Sequence, residues 1–233
     1  MKILALDSAT GACSVALWHD GGIVARRFAV MDRGQSEVLI PMAQEVLAEA
    51  GADFPSIDVF AVTTGPGAFT GLRIGLAAAK GMALASGRPL VGVSTFEAVA
   101  CGVPAEERGG CPVLVAVESR REDIFVQLFD RELISAGEAR AVRPESLVLP
   151  ETPVLVAGDG AARVRLAIEA AGSIGPAVRT DVRFASGAGF PDAADIARLV
   201  ALRGDGSGAV QAAPPQPFYL RPPDVTLPVE KRR

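Results

Sequence analysis

The sequence contains one histidine, His19, one tryptophan and one tyrosine among 233 residues. A single histidine narrows the chemistry at once, because a His-x-x-x-His metal site cannot form within one chain. Ser-His-Asp or Cys-His catalysis would have to use His19, which stands beside an Asp20-Gly21-Gly22 turn with no nucleophile motif around it. Cysteine is nearly as scarce. Cys13, Cys101 and Cys111 include no Cys-x-x-Cys and read as buried thiols rather than a disulfide frame or a zinc site. No apolar run approaches the length of a membrane helix, and Ile3–Leu6 is too short for the apolar region of a signal peptide. A soluble, cytoplasmic protein is the expectation. An excess of positive charge is also missing: 23 Lys and Arg stand against 27 Asp and Glu, a net charge of −4. Proteins that hold a polyanion unaided normally show a basic face, so any RNA is expected to be met with a partner supplying charge.

What the chain does have is apolar material. A hydrophobic content of 49% is enough for one large core or two modest lobes. Strands are predicted at 3–6, 12–18 and 23–30, the last two joined by the Asp20-Gly21-Gly22 turn. A helix at 37–50 follows, with an apolar stripe through Leu39, Met42, Ala43, Val46 and Ala50. Pro41 fits its first turn and Gly51 its end. A strand at 57–63, a helix at 70–86, a short strand at 90–93 and a helix at 95–101 complete the first half. In the second half, strands are predicted at 113–117, 123–129, 132–142 and 154–157, with helices at 161–171 and 192–203. The plan strand-strand-strand-helix-strand-helix occurs twice, less clearly the second time. An ungapped superposition supports a duplication: Leu4–Ser8 falls on Val115–Ser119, with Asp7 over Glu118 and Val15 over Val126. This divides the chain into lobes at 1–102 and 103–213. A proline-rich tail at 214–233 reads as an extended strap or a loose end, which Phe218-Tyr219-Leu220 could anchor.

Three motifs bear on chemistry. Asp7, with Ser8 and Thr10 behind it, ends the first strand. Such an acid either holds magnesium near a phosphate or accepts the N–H groups of its own turn. Gly65-Pro66-Gly67-Ala68-Phe69-Thr70-Gly71-Leu72-Arg73 joins a strand to a helix, where backbone N–H groups can bind anions. It matches neither the Walker A nor the dinucleotide fingerprint, so a tight turn with Thr70 near the helix N-cap is the plainer reading. The helix behind it carries only Arg73 and Lys80 as charges between Leu72 and Ala85. Gly71, Gly75, Ala78, Ala79 and Met82 leave a small apolar side, which must be covered by this chain's core or by a partner.

These residues, in this order, resemble the TsaB family, also called YeaZ. The resemblance is carried by Ile3–Thr10 with Cys13–Leu17, Gln35-Ser36-Glu37 with Leu39-Ile40-Pro41, Gly65–Gly75, Val91–Thr95, Glu118–Arg121 and Phe218–Arg221. It implies an α/β fold of the ASKHA (actin, hexokinase, Hsp70) class, two lobes of duplicated βββαβα with mixed sheets. It also implies a non-catalytic scaffold, with no cofactor or metal, that binds a TsaD-like transferase. That transferase carries threonylcarbamoyl to the adenosine beside the anticodon of ANN-decoding tRNAs, and a TsaE-like ATPase joins it. TsaD-like enzymes hold metal through a histidine pair that this chain cannot supply. On this reading tRNA is met only through the complex. Leu39, Met42, Val46, Gly71, Gly75, Ala78, Ala79 and Met82 form the partner face, which also makes a homodimer when the partner is absent. Asp7, Ser8 and Thr10 are then a vestigial phosphate site. Gln35, where the family often has histidine, and Glu118, where it often has aspartate, depart from the pattern. The alternative is an ATP-using ASKHA enzyme such as a small kinase, with Asp7 on magnesium. A peptidase is disfavoured by the single histidine.

Overall fold

The computed structural model describes residues 1–172, 181–187, 189–204 and 215–221. β1 (Lys2–Asp7), β2 (Ala12–His19) and β3 (Gly22–Val30) form an antiparallel meander. α1 (Gln35–Glu49) leads into β4 (Val59–Gly65), which pairs parallel to β1. α2 (Phe69–Ser86) then leads into β5 (Leu90–Ser94), parallel to β4. The sheet order is β3-β2-β1-β4-β5. β1 and β4 read as continuous apolar runs because both their faces are covered.

After α3 (Thr95–Gly102) and α4 (Ala105–Arg108) the plan returns. β6 (Val113–Glu118), β7 (Ile124–Phe129), β8 (Arg140–Val142), β9 (Val154–Ala157) and β10 (Val182–Phe184) form a sheet of order β10-β9-β6-β7-β8. Read from the other edge, this is the order of the first sheet, with the same parallel and antiparallel pairs. Two mixed five-stranded sheets of one topology, with helices on their faces, make this the α/β ASKHA fold.

Where α1 stands in the first half, the second half has only the single turn Pro144–Ser146, and α5 (Ala161–Gly172) alone corresponds to α2. The ungapped superposition holds for the first strand of each half and slips by one in the second. Leu6 pairs with Val15, whereas Val117 pairs with Phe125 rather than Val126. The strand expected at 132–142 shrinks to Arg140–Val142, for a local reason. Asp130 Oδ1 accepts the N–H groups of Glu132 (3.0 Å) and Ile134 (2.8 Å), and Leu133 takes a φ of 62°, turning the chain before pairing resumes. Pro41 lies in the second turn of α1, not the first, because the helix starts at Gln35 behind the left-handed Gly34. Pro41 is exposed, so the carbonyl it leaves without an N–H donor can meet water.

Each half contributes its last helix to the sheet of the other. α3 buries Phe96, Val99 and Ala100 against Val113, Val115 and Phe125 of the second sheet. α6 (Ala193–Leu202) comes from the second half, yet Ile196, Ala197 and Val200 pack on Ile3, Ala5, Ala16 and Val59 of the first sheet. α1 and α2 cover the other face of that sheet through Leu39, Val46, Leu76 and Ala79. The described part of the tail, 215–221, lies on the body. Phe218 donates its N–H to the Thr64 carbonyl (2.7 Å), and Leu220 packs on the second-half core. Pro214, Pro222, Pro223 and Pro228 lie outside the described residues.

Candidate functional site

The turn after β1 is sealed. Asp7, Ser8 and Thr10 are all buried. Asp7 Oδ1 accepts the Ala9 N–H (3.1 Å) and the Thr63 hydroxyl (2.6 Å), whereas Oδ2 has no partner among the described residues. Burial pushes the Asp7 carboxyl up to about 7, only partly offset by those two hydrogen bonds. Ser8 donates its hydroxyl to the Gly71 carbonyl (2.9 Å). The glycine loop explains the seal. A Cβ on Gly67 would strike the Ala9 carbonyl, one on Gly71 the Ser8 carbonyl, and one on Gly75 would sit 2.8 Å from the Ser8 hydroxyl. These glycines are required for close approach of backbone to backbone. The helix N-cap is Ala68, with no side-chain cap, and Thr70 falls inside the first turn rather than at the cap.

The corresponding turn after β6 is open and charged. Glu118 accepts the Arg120 N–H (2.8 Å) and pairs with Arg163 (2.9 Å). Arg163 also donates to the carbonyls of Arg121 (2.8 Å), Glu122 (2.5 Å) and Asp123 (3.0 Å), clamping the whole turn. Arg120 holds a left-handed φ of 59°, a conformation that costs energy for a side chain of this size. Asp159 accepts the Glu118 N–H (2.9 Å), and burial raises its carboxyl to about 6.

Between the two turns lies a groove of about 1010 Å³. Its rim carries Arg33, Arg73, Arg120, Arg121 and Arg221, with Asp32 as the one lining carboxylate among the described residues. Arg73 lies 3.7 Å above the Phe69 ring and donates to the Tyr219 hydroxyl (3.2 Å). Phe69 and Tyr219 stack at 5.4 Å between ring centroids. Two ion pairs cross from one side of the groove to the other: Arg120 with Asp32 (3.5 Å), and Arg221 of the tail with Asp123. Gln35 is buried at the groove's edge and donates to the Met31 carbonyl (3.2 Å).

The structure sorts the eight residues expected on a partner face into two sets. Leu39, Val46 and Ala79 belong to the chain's own core, and Gly71 and Gly75 are buried, with Ser8 over both. Those five already have neighbours and are buried within this chain. Met42, Ala78 and Met82 are half-buried. Outside them, α2 exposes Ala77, Gly81, Leu84 and Ala85, and α1 exposes Ile40 and Pro41. α2 is thus apolar on two opposite faces, one through Leu72, Leu76, Ala79 and Ala83 and the other turned outward. His19 is half-exposed at the end of β2, with Nε2 3.2 Å from Asp20. The sequence reading missed Arg163 and Arg33. Arg163 has no motif around it, and Arg33 stands two residues before the Gln35-Ser36-Glu37 block, between the predicted strand at 23–30 and the predicted helix at 37–50.

A family model described as "TsaD: tRNA N6-adenosine threonylcarbamoyltransferase" matches residues 18–185. The chain aligns with YeaZ from Pseudomonas aeruginosa at a TM-score of 0.79 and 30% identity, over 94% of this chain and 99% of that one. The chain belongs to the TsaB (YeaZ) family. It is 39% identical over 151 residues to the tRNA threonylcarbamoyladenosine biosynthesis protein TsaB of Escherichia coli strain K12, covering 65% of this chain and 64% of that protein. The protein of the same description from Haemophilus influenzae is 30% identical over 159 residues, 66% of each chain. The matched part therefore spans just under two thirds of the length of these curated relatives. Family membership gives the Gly65–Gly75 block its context: in this member it is the lid that seals the Asp7 turn. No helix among the described residues is long and apolar enough to cross a membrane.

Proposed function

We propose that this chain is a non-catalytic, cytoplasmic scaffold in tRNA threonylcarbamoyladenosine biosynthesis. It binds a TsaD-like transferase through the outward faces of α1 and α2, and a TsaE-like ATPase joins the assembly. The lobes divide near residues 102 and 103, and the same helix face makes a homodimer when the partner is absent. The observation that carries this reading is the second apolar face of α2. Leu84, 84% exposed, with Ala77, Gly81 and Ala85 beside it, is surface that a lone protein has no reason to keep apolar along a whole helix side. The kinase alternative loses its acid. Asp7 is walled in by Ser8 and the glycine loop, whereas a magnesium-binding carboxylate must face water and phosphate. Asp7, Ser8 and Thr10 are on this view the remnant of a phosphate site turned into a packing joint.

Gly81→Arg tests the interface cleanly. A Cβ at Gly81 meets nothing within 4 Å, so the variant folds, and losing a helical glycine stabilises α2 by up to about 1 kcal/mol. A charge placed in a desolvated contact has no counterion there. Co-purification with the cognate TsaD-like protein, followed by threonylcarbamoyl transfer to tRNA in the reconstituted system, is expected to fail for Gly81→Arg and succeed for wild type. Normal assembly and transfer by the variant would place the interface elsewhere.

A further inference from the structure

The groove between the two turns has features that a scaffold contact on α1 and α2 does not use. In a chain of net charge −4, five guanidinium groups converge on it; Arg120 pairs with Asp32 and Arg221 with Asp123. They come from different parts of the chain: Arg33 before α1, Arg73 on α2, Arg120 and Arg121 on the second-half turn, and Arg221 on the tail. The turn is built to present its cations. Arg163 and Glu118 hold it with five hydrogen bonds, and Arg120 is kept in a left-handed conformation with its side chain 53% exposed. Arg33 is exposed and makes no ion pair among the described residues. Within the same groove the stacked Phe69 and Tyr219 stay 47% and 38% exposed. Guanidinium groups suit phosphate oxygens through paired N–H donors, and exposed aromatic rings suit bases. A basic groove with an aromatic platform is the arrangement that holds single-stranded nucleic acid with little sequence preference. About 1010 Å³ sits at the upper end of small-molecule sites, so more than one nucleotide fits.

We propose that this groove holds a single-stranded stretch of RNA, with phosphates on the arginine rim and a base on the Phe69–Tyr219 pair. The identity of that RNA as a tRNA rests on the function proposed above, but the groove's affinity for an RNA strand does not. The proposal changes the sequence expectation that tRNA is met only through the complex: this chain makes a contact of its own, and its overall negative charge keeps that contact weak and local.

The test uses the full chain alone, with a fluorescent ten-nucleotide single-stranded RNA followed by anisotropy at low salt. Saturable binding is expected. Arg33→Gln combined with Arg120→Gln is expected to weaken it at least tenfold and to reduce the salt dependence by about 1.4 in log–log slope, two contacts of about 0.7 each. Both side chains are exposed, so circular dichroism should be unchanged. Tyr219→Ala, a second variant, is expected to weaken binding with no change in salt slope. Absent binding by the folded chain, or binding that both variants leave intact, overturns the proposal. So does equal competition by polyglutamate, or binding of ATP without binding of the oligomer. The outcome is separable from the interface test, because Gly81→Arg lies outside the groove and is expected to bind RNA like wild type. RNA binding without any partner-dependent transfer would sink the scaffold reading and leave this one standing.

Discussion

The turns that follow β1 and β6 occupy the same place in two copies of one topology, and they have become opposites. After β1 the turn is closed, its acid buried, its backbone pressed against a helix of glycines and alanines. After β6 it is wet, ion-paired and rimmed with arginine. One residue in each half accounts for much of this. Gly71 is the third residue of α2, and it lets the helix touch the Ser8 carbonyl. Arg163 is the third residue of α5, and it reaches the turn carbonyls through a long charged side chain instead. The same frame therefore yields a closed joint where the helix residue has no side chain, and a display surface where it has the longest one.

The comparison breaks most visibly at Gly71. Gly71→Ala drives a Cβ into backbone that cannot swing aside, so a loss of about 3 kcal/mol is expected, seen as a lower urea midpoint. A well-folded, equally stable variant would show that the joint is looser than the packing indicates.

The next effect is in pH. Burial raises Asp7 from its ordinary 3.8 to about 7. Its contribution to stability is therefore fully present below about pH 4 and is lost as pH rises through 7. That amounts to a few kcal/mol at most, on the order of 4 if the whole difference is expressed. Asp159, raised to about 6, acts in the same direction. Asp7→Asn keeps the Oδ1 acceptor for Ala9 and Thr63 and removes the titration. Urea unfolding at pH 5 and pH 8 is expected to show wild type losing stability across the interval and Asp7→Asn losing much less. Parallel behaviour of the two proteins would mean that water reaches the carboxylate.

The smallest change is expected on the open side. Arg163→Met removes a half-exposed ion pair and the clamp on the turn while keeping an unbranched stem at the position. A loss of about 1 kcal/mol, shrinking as salt is added, is the expectation. A loss as large as that of Gly71→Ala would erase the contrast between the two turns.

Much of this was legible beforehand, and the exceptions have physical causes. Long apolar periods placed nearly every strand and helix within a few residues, because burial on both faces leaves a continuous signal in β1 and β4. β10 went unseen, as three residues, Val182–Phe184, carry no period. The extent of β8 was overread because apolar residues near 133–142 look alike whether or not Asp130 folds the chain back. The helix at 70–86 was readable as needing cover on more than one side, but not which residue faced which way. Leu39, Val46 and Ala79 turned inward because α1 and α2 lie on a sheet whose position the sequence does not display. The groove was illegible for the same reason: its arginines are separated by up to 188 residues in the chain, Arg33 to Arg221, and meet only after both halves have folded.

The exchange of α3 and α6 has a consequence for synthesis. As the chain leaves the ribosome, β1 to β5 are complete by residue 94, yet the sheet face made by Ile3, Ala5, Ala16 and Val59 waits for a helix that begins at residue 193. At roughly 5–20 residues per second that wait lasts about 5–20 s. During this interval an apolar sheet face stands open in the cell, and its native cover has not yet been made. The first half is thus born dependent on the last, and the two halves reach maturity together.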